Sequence, residues 1–513
     1  MSNKKVPIVA IVGRANVGKS SIFNVLIGRR EAIVADEPGT TRDSITAKAT
    51  LESGKNYWLV DTAGLKDAAD SFELTIQDQI TEAANSADII LVAVDATTII
   101  TPEDRRVVKM AFKSGKQLIL LVNKGDQATQ PQIDAYQKLG VKPMIATSAT
   151  QRKGFFELEE ALEEALPAAS IREADDRVRV ALLGRPNVGK SSLYNALAKK
   201  QQAIVADLAG TTRDINRTTI KYKKREIELL DTAGIRRNGK IERGIELFSV
   251  MRSLSAIEQS DICLLLIDAN ELSVALDQKI AGMVKEAGKG LILVVSKWDM
   301  VKTPTDLTDE DGEKPADEEN LIVESAQETI KTAEELEKDA KEKVKKKIIT
   351  IHHRVSHKIK TNFIFVPWAP LIFTSSVDGK NITKIFDLIM ETMEKRDQKI
   401  PTRQLNSWLK KVVDRHPPAG LKNRHPKLRY MVQEDNPIPA FKVFGSQTKF
   451  LHWSYKRHMD RMMRQEWDYT GSPIQLWFID RDADKDKHAD KKTFKNNGNR
   501  DSVTRRDKQR DKR

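Results

Sequence analysis

The chain has 513 residues, of which 40% are hydrophobic and 31% charged, a balance typical of globular domains, and its length is enough for about three of them. No apolar run reaches the roughly 18–20 residues of a membrane-spanning helix. The single cysteine, Cys263, excludes an internal disulfide or a cysteine-rich metal site and indicates a reducing, cytoplasmic location. The net charge of +13 favours a polyanionic partner, nucleic acid or an anionic membrane face.

Apolar runs alternate with helix-like stretches from the N-terminus onward, and the first run predicts a buried strand rather than a signal peptide. The predicted strands of the first third are Ile8–Val12, Tyr57–Val60, Ile89–Val94 and Leu118–Val122. The same pattern returns at Val178–Leu183, Glu226–Leu230, Ile262–Ile267 and Gly290–Val295. Strands separated by helical patterns predict, in each half, an α/β fold with a mainly parallel sheet and helices on both faces.

Three motifs occur twice in this chain. Gly-x-x-x-x-Gly-Lys-Ser begins at positions 13 and 184, Gly-Thr-Thr-Arg-Asp at 39 and 210, and Asp-Thr-Ala-Gly at 61 and 231. The separations are 184 − 13 = 171, 210 − 39 = 171 and 231 − 61 = 170. A constant separation of domain size indicates a duplicated domain rather than a solenoid of short repeats.

Each Gly-x-x-x-x-Gly-Lys-Ser motif follows a predicted strand, which is the setting of a phosphate-binding loop (P-loop). Its N–H groups and the following helix N-terminus supply a positive field for phosphates. We expect Lys19 and Lys190 to reach the β- and γ-phosphates, and Ser20 and Ser191 to ligate Mg²⁺. Two full matches argue against a glycine-rich turn without a ligand. The predicted loop residues are Gly13, Arg14, Ala15, Asn16, Val17, Gly18, Lys19, Ser20, Ser21, Gly184, Arg185, Pro186, Asn187, Val188, Gly189, Lys190, Ser191 and Ser192.

The Asp-Thr-Ala-Gly motifs each follow a strand and are predicted to sense the γ-phosphate. Asp61 and Asp231 are expected to hold Mg²⁺, and Thr41 and Thr212 to complete its ligands from loops that order with the triphosphate. The residues expected to contact nucleotide here are Asp61, Thr62, Ala63, Gly64, Leu65, Asp231, Thr232, Ala233, Gly234 and Ile235.

A fourth motif, Asn-Lys-Gly-Asp at 123–126 with Ser-Lys-Trp-Asp at 296–299 as its second copy, predicts recognition of guanine, and we call it the base-reading motif. A carboxylate such as Asp126 can accept both the ring N–H and the exocyclic amine of guanine, a pair that adenine does not offer, so GTP is expected over ATP. The second copy has Ser296 in place of asparagine, and we expect it to hold nucleotide less tightly without losing the guanine preference. The predicted base-binding residues are Asn123, Lys124, Gly125, Asp126, Ser148, Ala149, Ser296, Lys297, Trp298, Asp299, Ser375 and Ser376.

No catalytic base can be assigned from the sequence. Leu65 and Ile235 occupy the position where Ras-like enzymes carry a water-orienting glutamine, and an aliphatic side chain cannot orient water. Hydrolysis is therefore expected to be slow without help, with charge stabilisation from Lys19 and Lys190. The alternative is a scaffold that binds nucleotide and recruits partners without significant hydrolysis.

The predicted boundaries are a first GTPase domain over 6–167, a linker over 168–177, and a second GTPase domain over 178–397. An inserted helical segment, about 303–360, is predicted from apolar residues that recur every three or four positions between Ile322 and Val344. It is expected to pack as a solvated addition or to contact RNA or protein. A third domain is predicted over 398–481, followed by a disordered basic tail over 482–513.

The motifs together resemble the Der (EngA) family, bacterial tandem-domain, Era-like GTPases of ribosome biogenesis. The third segment agrees, because Ile400–Asn406 is followed by His416–Pro418, Leu428–Gln433, Pro439–Phe444 and Gly471–Ile474 in the order of that family's α+β KH-like domain. The match runs from about residue 6 to 481 apart from the insertion, although Ala15 replaces the proline found at position 186.

The resemblance implies a GTP-hydrolysing switch in assembly of the large ribosomal subunit, with rRNA and that subunit as partners. It also implies Mg²⁺ and GTP/GDP as ligands, a chain that is monomeric when free, and K⁺ beside Asn16 and Asn187. No Gly-x-x-Gly RNA clamp occurs between Pro401 and Arg481, so RNA binding by the KH-like domain is expected from charge and resemblance. No lipidation motif or membrane anchor is found.

Overall fold

A computed structural model describes residues 6–28, 46–62, 80, 83, 86–167, 177–200, 216–223, 225–231, 245–272, 275–301, 351–421 and 424–480. Most of the predicted linker, insertion and basic tail therefore lie outside the described residues. Within these ranges no helix is both long and apolar enough to span a membrane.

The first domain is built on a six-stranded sheet in the order β2-β3-β1-β4-β5-β6, in which only β2 is antiparallel to its neighbour. Its strands are β1 (Ile8–Val12), β2 (Thr46–Thr50), β3 (Asn56–Asp61), β4 (Ile89–Asp95), β5 (Gln117–Asn123) and β6 (Met144–Ala146). Its helices include α1 (Lys19–Gly28), α2 (Pro102–Lys113), α3 (Gln130–Asp134) and α4 (Phe155–Ala165).

The parallel strands of this sheet are buried on both faces. Because successive side chains alternate between faces, Ile8 and Ala10 enter one apolar cluster, whereas Val9 and Ile11 enter another. Helix α2 packs against the first cluster, and α1 and α4 pack against the second. Helices on both faces leave the carboxyl edge of the sheet as the place where strand ends and loops meet.

The second domain repeats this architecture, with sheet order β12-β11-β10-β7-β9-β8 and β8 antiparallel to β9. Its strands are β7 (Val178–Leu183), β8 (Asn216–Tyr222), β9 (Arg225–Asp231), β10 (Ile262–Asp268), β11 (Gly290–Ser296) and β12 (Leu371–Phe373). Its described helices include α5 (Lys190–Lys200), α6 (Ile245–Gln259), α7 (Ala275–Glu286), α8 (351–362) and α9 (Ile382–Arg396).

All eight strands predicted from the apolar runs are present, and the α/β fold with mainly parallel sheets is confirmed. In the two GTPase domains, the strands that were not predicted are β2, β8, β6 and β12. The first two are antiparallel edge strands with many polar residues, and the other two have only three residues each.

Helix α8 belongs to the core of the second domain. Ile351, Val355, Ile359 and Phe363 recur at four-residue spacing and are all buried in the apolar cluster that includes β10 and β11. The predicted insertion, about 303–360, therefore includes a helix that the second domain needs for its own packing. The apolar stripe from Ile322 to Val344 lies outside the described residues.

The third domain has a three-stranded sheet: β13 (Lys427–Gln433) is antiparallel to β14 (Ala440–Ser446), which is parallel to β15 (Gln475–Asp480). Helices α10 (Thr402–Arg415) and α11 (Trp453–Glu466) cover it. Trp408, Phe441, Met459 and Met463 are buried together between helices and sheet. The predicted KH-like domain thus has its own apolar core.

A buried hydrogen bond joins the two GTPase domains. The indole Nε1 of Trp58 on β3 donates to Oε1 of Glu258 on α6 at 2.6 Å, and the backbone N–H of Val6 donates to Oε2 of the same carboxylate at 3.2 Å. Trp58 and Glu258 are buried, and one apolar cluster contains residues of both domains. A carboxylate this far from water depends on these donors.

We expect Glu258→Ala to lower the midpoint of thermal unfolding by roughly 2–10 °C, because it leaves the Trp58 N–H buried without an acceptor, at a cost of about 1–3 kcal/mol. Scanning calorimetry measures this shift. The control is Glu226→Ala, since Glu226 is an exposed carboxylate 3.8 Å from Lys221 and its removal is expected to change stability by less than about 1 kcal/mol. Equal shifts for the two variants would contradict a stabilising role of the buried contact.

Candidate functional site

The first Gly-x-x-x-x-Gly-Lys-Ser segment forms a tight loop between β1 and α1. A side chain at Gly13, where φ is +154°, would place Cβ 2.4 Å from the carbonyl oxygen of Ala93 on β4, so only glycine fits. Lys19 begins α1, and its Nζ donates to the carbonyl oxygens of Gly13 and Arg14, both at 2.8 Å. The lysine thereby binds two carbonyl groups of the loop at once and fixes their direction.

The second loop repeats this geometry between β7 and α5. Gly184 has a φ of +134°, and a Cβ there would lie 2.7 Å from the carbonyl oxygen of Leu266. Nζ of Lys190 donates to the carbonyl oxygens of Gly184 and Arg185 at 2.7 and 2.6 Å. The two copies therefore agree in backbone as well as in sequence.

Ser20 and Asp61 meet beside the first loop. The Ser20 hydroxyl donates to Oδ2 of Asp61 at 2.6 Å, and Asp61 is buried at the carboxyl end of β3. Burial lowers the pKa of the adjacent Lys19 ammonium, and the negative charge of Asp61 acts in the opposite direction. Thr62 is also buried, and its hydroxyl donates to the carbonyl oxygen of Ile11 at 2.7 Å. A hydroxyl and a carboxylate oxygen, the kinds of atom that Mg²⁺ prefers in proteins, thus lie side by side.

Asn123, the first residue of the predicted base-reading motif at 123–126, connects this motif to the P-loop by a hydrogen bond. Its Nδ2 donates to the carbonyl oxygen of Val17 at 2.9 Å, and its Oδ1 accepts from the backbone N–H of Ala149 at 3.3 Å. Asn123 therefore connects the P-loop with the segment at Ser148 and Ala149, both predicted to contact the base. The Asp126 side chain is exposed, as a group that accepts from a ligand must be.

In the second copy Ser296 makes part of the same connection. Its hydroxyl lies 2.7 Å from the carbonyl oxygen of Val188 and 3.2 Å from that of Ile267. The following ring, Trp298, lies edge-on to Phe373 of β12 with centroids 4.6 Å apart, and its backbone N–H donates to the carbonyl oxygen of Thr374 at 3.2 Å. The base-reading turn is thus fixed against the strand that leads to Ser375 and Ser376.

Two acids of this site, Asp95 and Asp268, are not predicted from the sequence. Asp95 ends β4 and accepts from Nζ of Lys124 at 2.6 Å, and Asp268 ends β10 and accepts from Nζ of Lys297 at 2.7 Å. Burial acts to raise the pKa of each carboxyl group, but the hydrogen bonds from lysine and from neighbouring loop groups outweigh it, so both pKa values lie below the ordinary value. Their spacing, 268 − 95 = 173, matches that of Asn123 and Ser296, 296 − 123 = 173, and comparison of the repeats at this spacing is the signal that finds them.

Some predicted residues lie outside the part of the chain that the structure describes. These are Thr41, Ala63, Gly64, Leu65, Thr212, Thr232, Ala233, Gly234 and Ile235. Asp231 is described as the last residue of β9, in register with Leu182 of β7. Its backbone therefore occupies the position that Asp61 has in the first domain.

Comparison with known proteins agrees with this architecture. A family model described as a 50S ribosome-binding GTPase matches residues 8–124 and again 179–297. A second model, the C-terminal KH-domain-like region of EngA bacterial GTPases, matches residues 399–478. Among solved structures, Aquifex aeolicus Era with the substitution Y63A, bound to GDP and AlF₄⁻, matches at 19% identity with a TM-score of 0.26, over 60% of this chain and 95% of that one.

Curated relatives match nearly the whole chain. GTPase Der of Chloroflexus aggregans is 37% identical over 492 residues, which cover 94% of this chain and 99% of that protein. GTPase Der of Gemmatimonas aurantiaca is 36% identical over 471 residues, covering 92% and 98%. With its two GTPase domains and its KH-like domain, the chain belongs to the Der (EngA) family of GTPases.

Proposed function

We propose that both P-loops bind guanine nucleotide and that the chain uses GTP hydrolysis as a switch in assembly of the large ribosomal subunit. Nucleotide binding is supported by one observation above all, the hydrogen bonds from Lys19 and Lys190 to the carbonyl oxygens of their own loops. An ammonium group has three N–H donors, and Gly13 and Arg14 take two of those on Lys19, which leaves one for a phosphate oxygen. Because a peptide unit is planar, the N–H that follows each bound carbonyl points the opposite way from that carbonyl.

Ser20 and Asp61 are proposed to hold Mg²⁺ in the first site, and Ser191 and Asp231 in the second, with Thr41 and Thr212 as further ligands. The Ser20–Asp61 oxygen pair fits this ion, which binds a few protein oxygens together with substrate phosphates and water. Bound Mg²⁺ would neutralise charge that develops on the phosphates.

Selection of guanine is assigned to Asp126 and Asp299, whose side chains are exposed next to the base-reading turns. Each follows a lysine in the left-handed backbone region, where Lys124 has a φ of 61° and Lys297 a φ of 56°. The ion pairs of these lysines with Asp95 and Asp268 hold that unusual backbone in place. The two carboxylates are thus presented by turns of the same shape.

The ribosomal role is supported by the family model and by charge on the third domain. Exposed cations lie along both helices that cover its sheet, among them Lys410 and Lys411 on α10 and Arg457 and Arg461 on α11. Arg457 also lies over the ring of Trp453, with 4.7 Å from the guanidinium carbon to the ring centroid. Such a surface attracts rRNA phosphates without reading sequence. We place the protein in the cytoplasm, as a monomer when free.

The direct test is cosedimentation with large ribosomal subunits in GDP and in a non-hydrolysable GTP analogue at several salt concentrations. We expect the analogue to favour binding and salt to weaken it. Lys19→Ala or Lys190→Ala is expected to reduce bound nucleotide from two to one per chain, because each loses a charge-assisted contact to phosphate and with it roughly 10–100-fold in affinity.

The control for these variants is Lys138→Ala, an exposed lysine of the first domain, which is expected to retain both nucleotides. Equal or absent sedimentation in both nucleotide states would remove the ribosome from the proposal. Two nucleotides per chain in both P-loop variants would remove the site assignments instead.

Ser296 is proposed to weaken the second site relative to the first, because it lacks the amide that in Asn123 also accepts from Ala149. We expect Ser296→Asn to slow release of a fluorescent GDP analogue from the second site about 2–10-fold, the effect of one hydrogen bond. A Lys19→Ala background isolates that site in stopped-flow measurements. The reciprocal change, Asn123→Ser in a Lys190→Ala background, is expected to accelerate release; a change of the same sign in both would contradict the assignment.

Potassium is proposed to supply charge stabilisation beside Asn16 and Asn187, since no catalytic base is assigned. Both asparagines are exposed in their loops, with φ of 64° and 62°. GTP hydrolysis is expected to be faster in KCl than in NaCl at equal ionic strength, because a suitably placed cation stabilises transition-state charge. Asn16→Ala combined with Asn187→Ala is expected to abolish the difference. Equal rates in the two salts for the unmodified protein would refute the potassium proposal and leave the GTPase assignment unaffected.

A further inference from the structure

The arginine in each P-loop points into its own domain. In the first domain, Nη2 of Arg14 donates to the hydroxyl of Thr98 at 2.6 Å, and its Nε lies 3.3 Å from Oδ1 of Asp104. Asp104 is buried on α2, where its other oxygen accepts from the backbone and hydroxyl of Thr101 and caps the helix. We call Arg14, Thr98 and Asp104 the first arginine cluster.

The second domain has the same arrangement with one more charge. Nε of Arg185 donates to Oδ2 of Asp277 at 3.1 Å, and Nη1 donates to Oε2 of Glu271 at 2.6 Å. Nη2 also donates to the backbone carbonyl of Glu271 at 3.2 Å. Asp277 is fully buried on α7. Arg185, Glu271 and Asp277 form the second arginine cluster.

The two clusters occupy equivalent positions. The side chains that bind the two arginines are separated by the same number of residues, since 277 − 104 = 173 and 271 − 98 = 173. The buried aspartate is the same in both copies, whereas Thr98 of the first cluster corresponds to Glu271 of the second. The first cluster therefore has one acid for its arginine, and the second has two.

Each cluster contains the arginine whose own backbone carbonyl binds the P-loop lysine. The carbonyl oxygen of Arg14 accepts from Lys19, and that of Arg185 accepts from Lys190. A side chain fixed to the domain core restricts the backbone of its own residue, and with it the direction of that carbonyl. We propose that Asp104 and Asp277 are positioning residues for the two phosphate-binding loops, acting through Arg14 and Arg185, and that the second cluster makes nucleotide binding at its site sensitive to pH.

The pH sensitivity follows from the surroundings of Asp277. Its Oδ1 is buried and has no hydrogen-bond partner, so a proton can be added there without breaking a contact. Burial raises the pKa of Asp277 to about 6, because the attraction of Arg185 and Lys190 does not offset the loss of water and Glu271 adds repulsion. At the arginine itself, burial acts to lower the pKa, but Glu271 and Asp277 outweigh it and the pKa is raised.

Affinity and stability are expected to respond to pH in opposite directions. When the pH falls through about 6, Asp277 gains a proton at Oδ1 and loses its charge attraction to Arg185, so the loop is held less firmly and nucleotide affinity falls. The folded state binds this proton more tightly than the unfolded chain does, so the contribution of Asp277 to the free energy of unfolding rises over the same interval. A purely structural role would not separate the two quantities in this way.

The experiment measures the dissociation constant of a fluorescent GDP analogue between pH 5.2 and 7.8, in Lys19→Ala protein for the second site and in Lys190→Ala protein for the first. The terminal phosphate of GDP also titrates near pH 6, but it does so at both sites, so the first site corrects for it. We expect acidification to weaken the second site by about a further 3–10-fold. Asp277→Asn, which mimics the protonated acid, is expected to bind as weakly at pH 7.8 as the parent does at pH 5.2.

Glu271→Gln is the second variant, chosen because Glu271 is largely exposed and its replacement leaves the buried core unchanged. It removes the repulsion on Asp277 and is expected to move the midpoint of the pH profile to a lower pH. Superimposable profiles at the two sites, or an unchanged midpoint in Glu271→Gln, would overturn the pH-dependent part. Unchanged affinity in Asp277→Asn would overturn the positioning role. The inference rests on the proposed nucleotide sites, and a Lys190→Ala protein that still binds two nucleotides would refute those instead.

Discussion

Both sites depend on the hydrogen bonds that side chains donate to the P-loop carbonyl oxygens. In the first domain, Lys19 binds the carbonyls of Gly13 and Arg14, Lys124 binds that of Asn16, and Asn123 binds that of Val17. A peptide unit is planar, with its N–H opposite its carbonyl. Each bound carbonyl therefore directs the N–H of the next residue away from the side chain that binds the carbonyl. The donors come from the carboxyl end of β5 and the start of α1. A parallel sheet is what gathers these groups at one edge.

Much of this arrangement could be predicted from the sequence, because long apolar runs and exact loop motifs are strong signals. Eight parallel strands of the two GTPase domains and both P-loops can be identified that way, whereas the three-residue parallel strands β6 and β12 cannot. Edge strands such as Thr46–Thr50 escaped, since they are short and polar and owe their conformation to a neighbouring strand. The ion pairs of Asp95 and Asp268 also escaped, because a carboxylate at a strand end gives no local indication of the lysine 29 residues later that it binds.

The duplicated domains have kept their backbone and changed the side chains that support it. Gly125 and Trp298 occupy equivalent turns, and both donate a backbone N–H to the next strand segment, at 2.9 and 3.2 Å. In the first domain the side chain of Ile133 packs near this glycine, whereas in the second the tryptophan contacts Phe373. The same shape of turn is therefore supported by different packing, which leaves each site free to differ in how tightly and how long it holds a ligand.

The contact between Trp58 and Glu258 has a consequence for synthesis of the chain. The sheet and helices of the first domain are complete by about residue 167, but the carboxylate that Trp58 binds comes 258 − 167 = 91 residues later. At roughly 5–20 residues per second this interval lasts about 5–20 s. During it, the indole N–H of Trp58 lacks the carboxylate that accepts from it in the folded chain. We therefore expect the first domain to reach its full stability only after α6 has emerged.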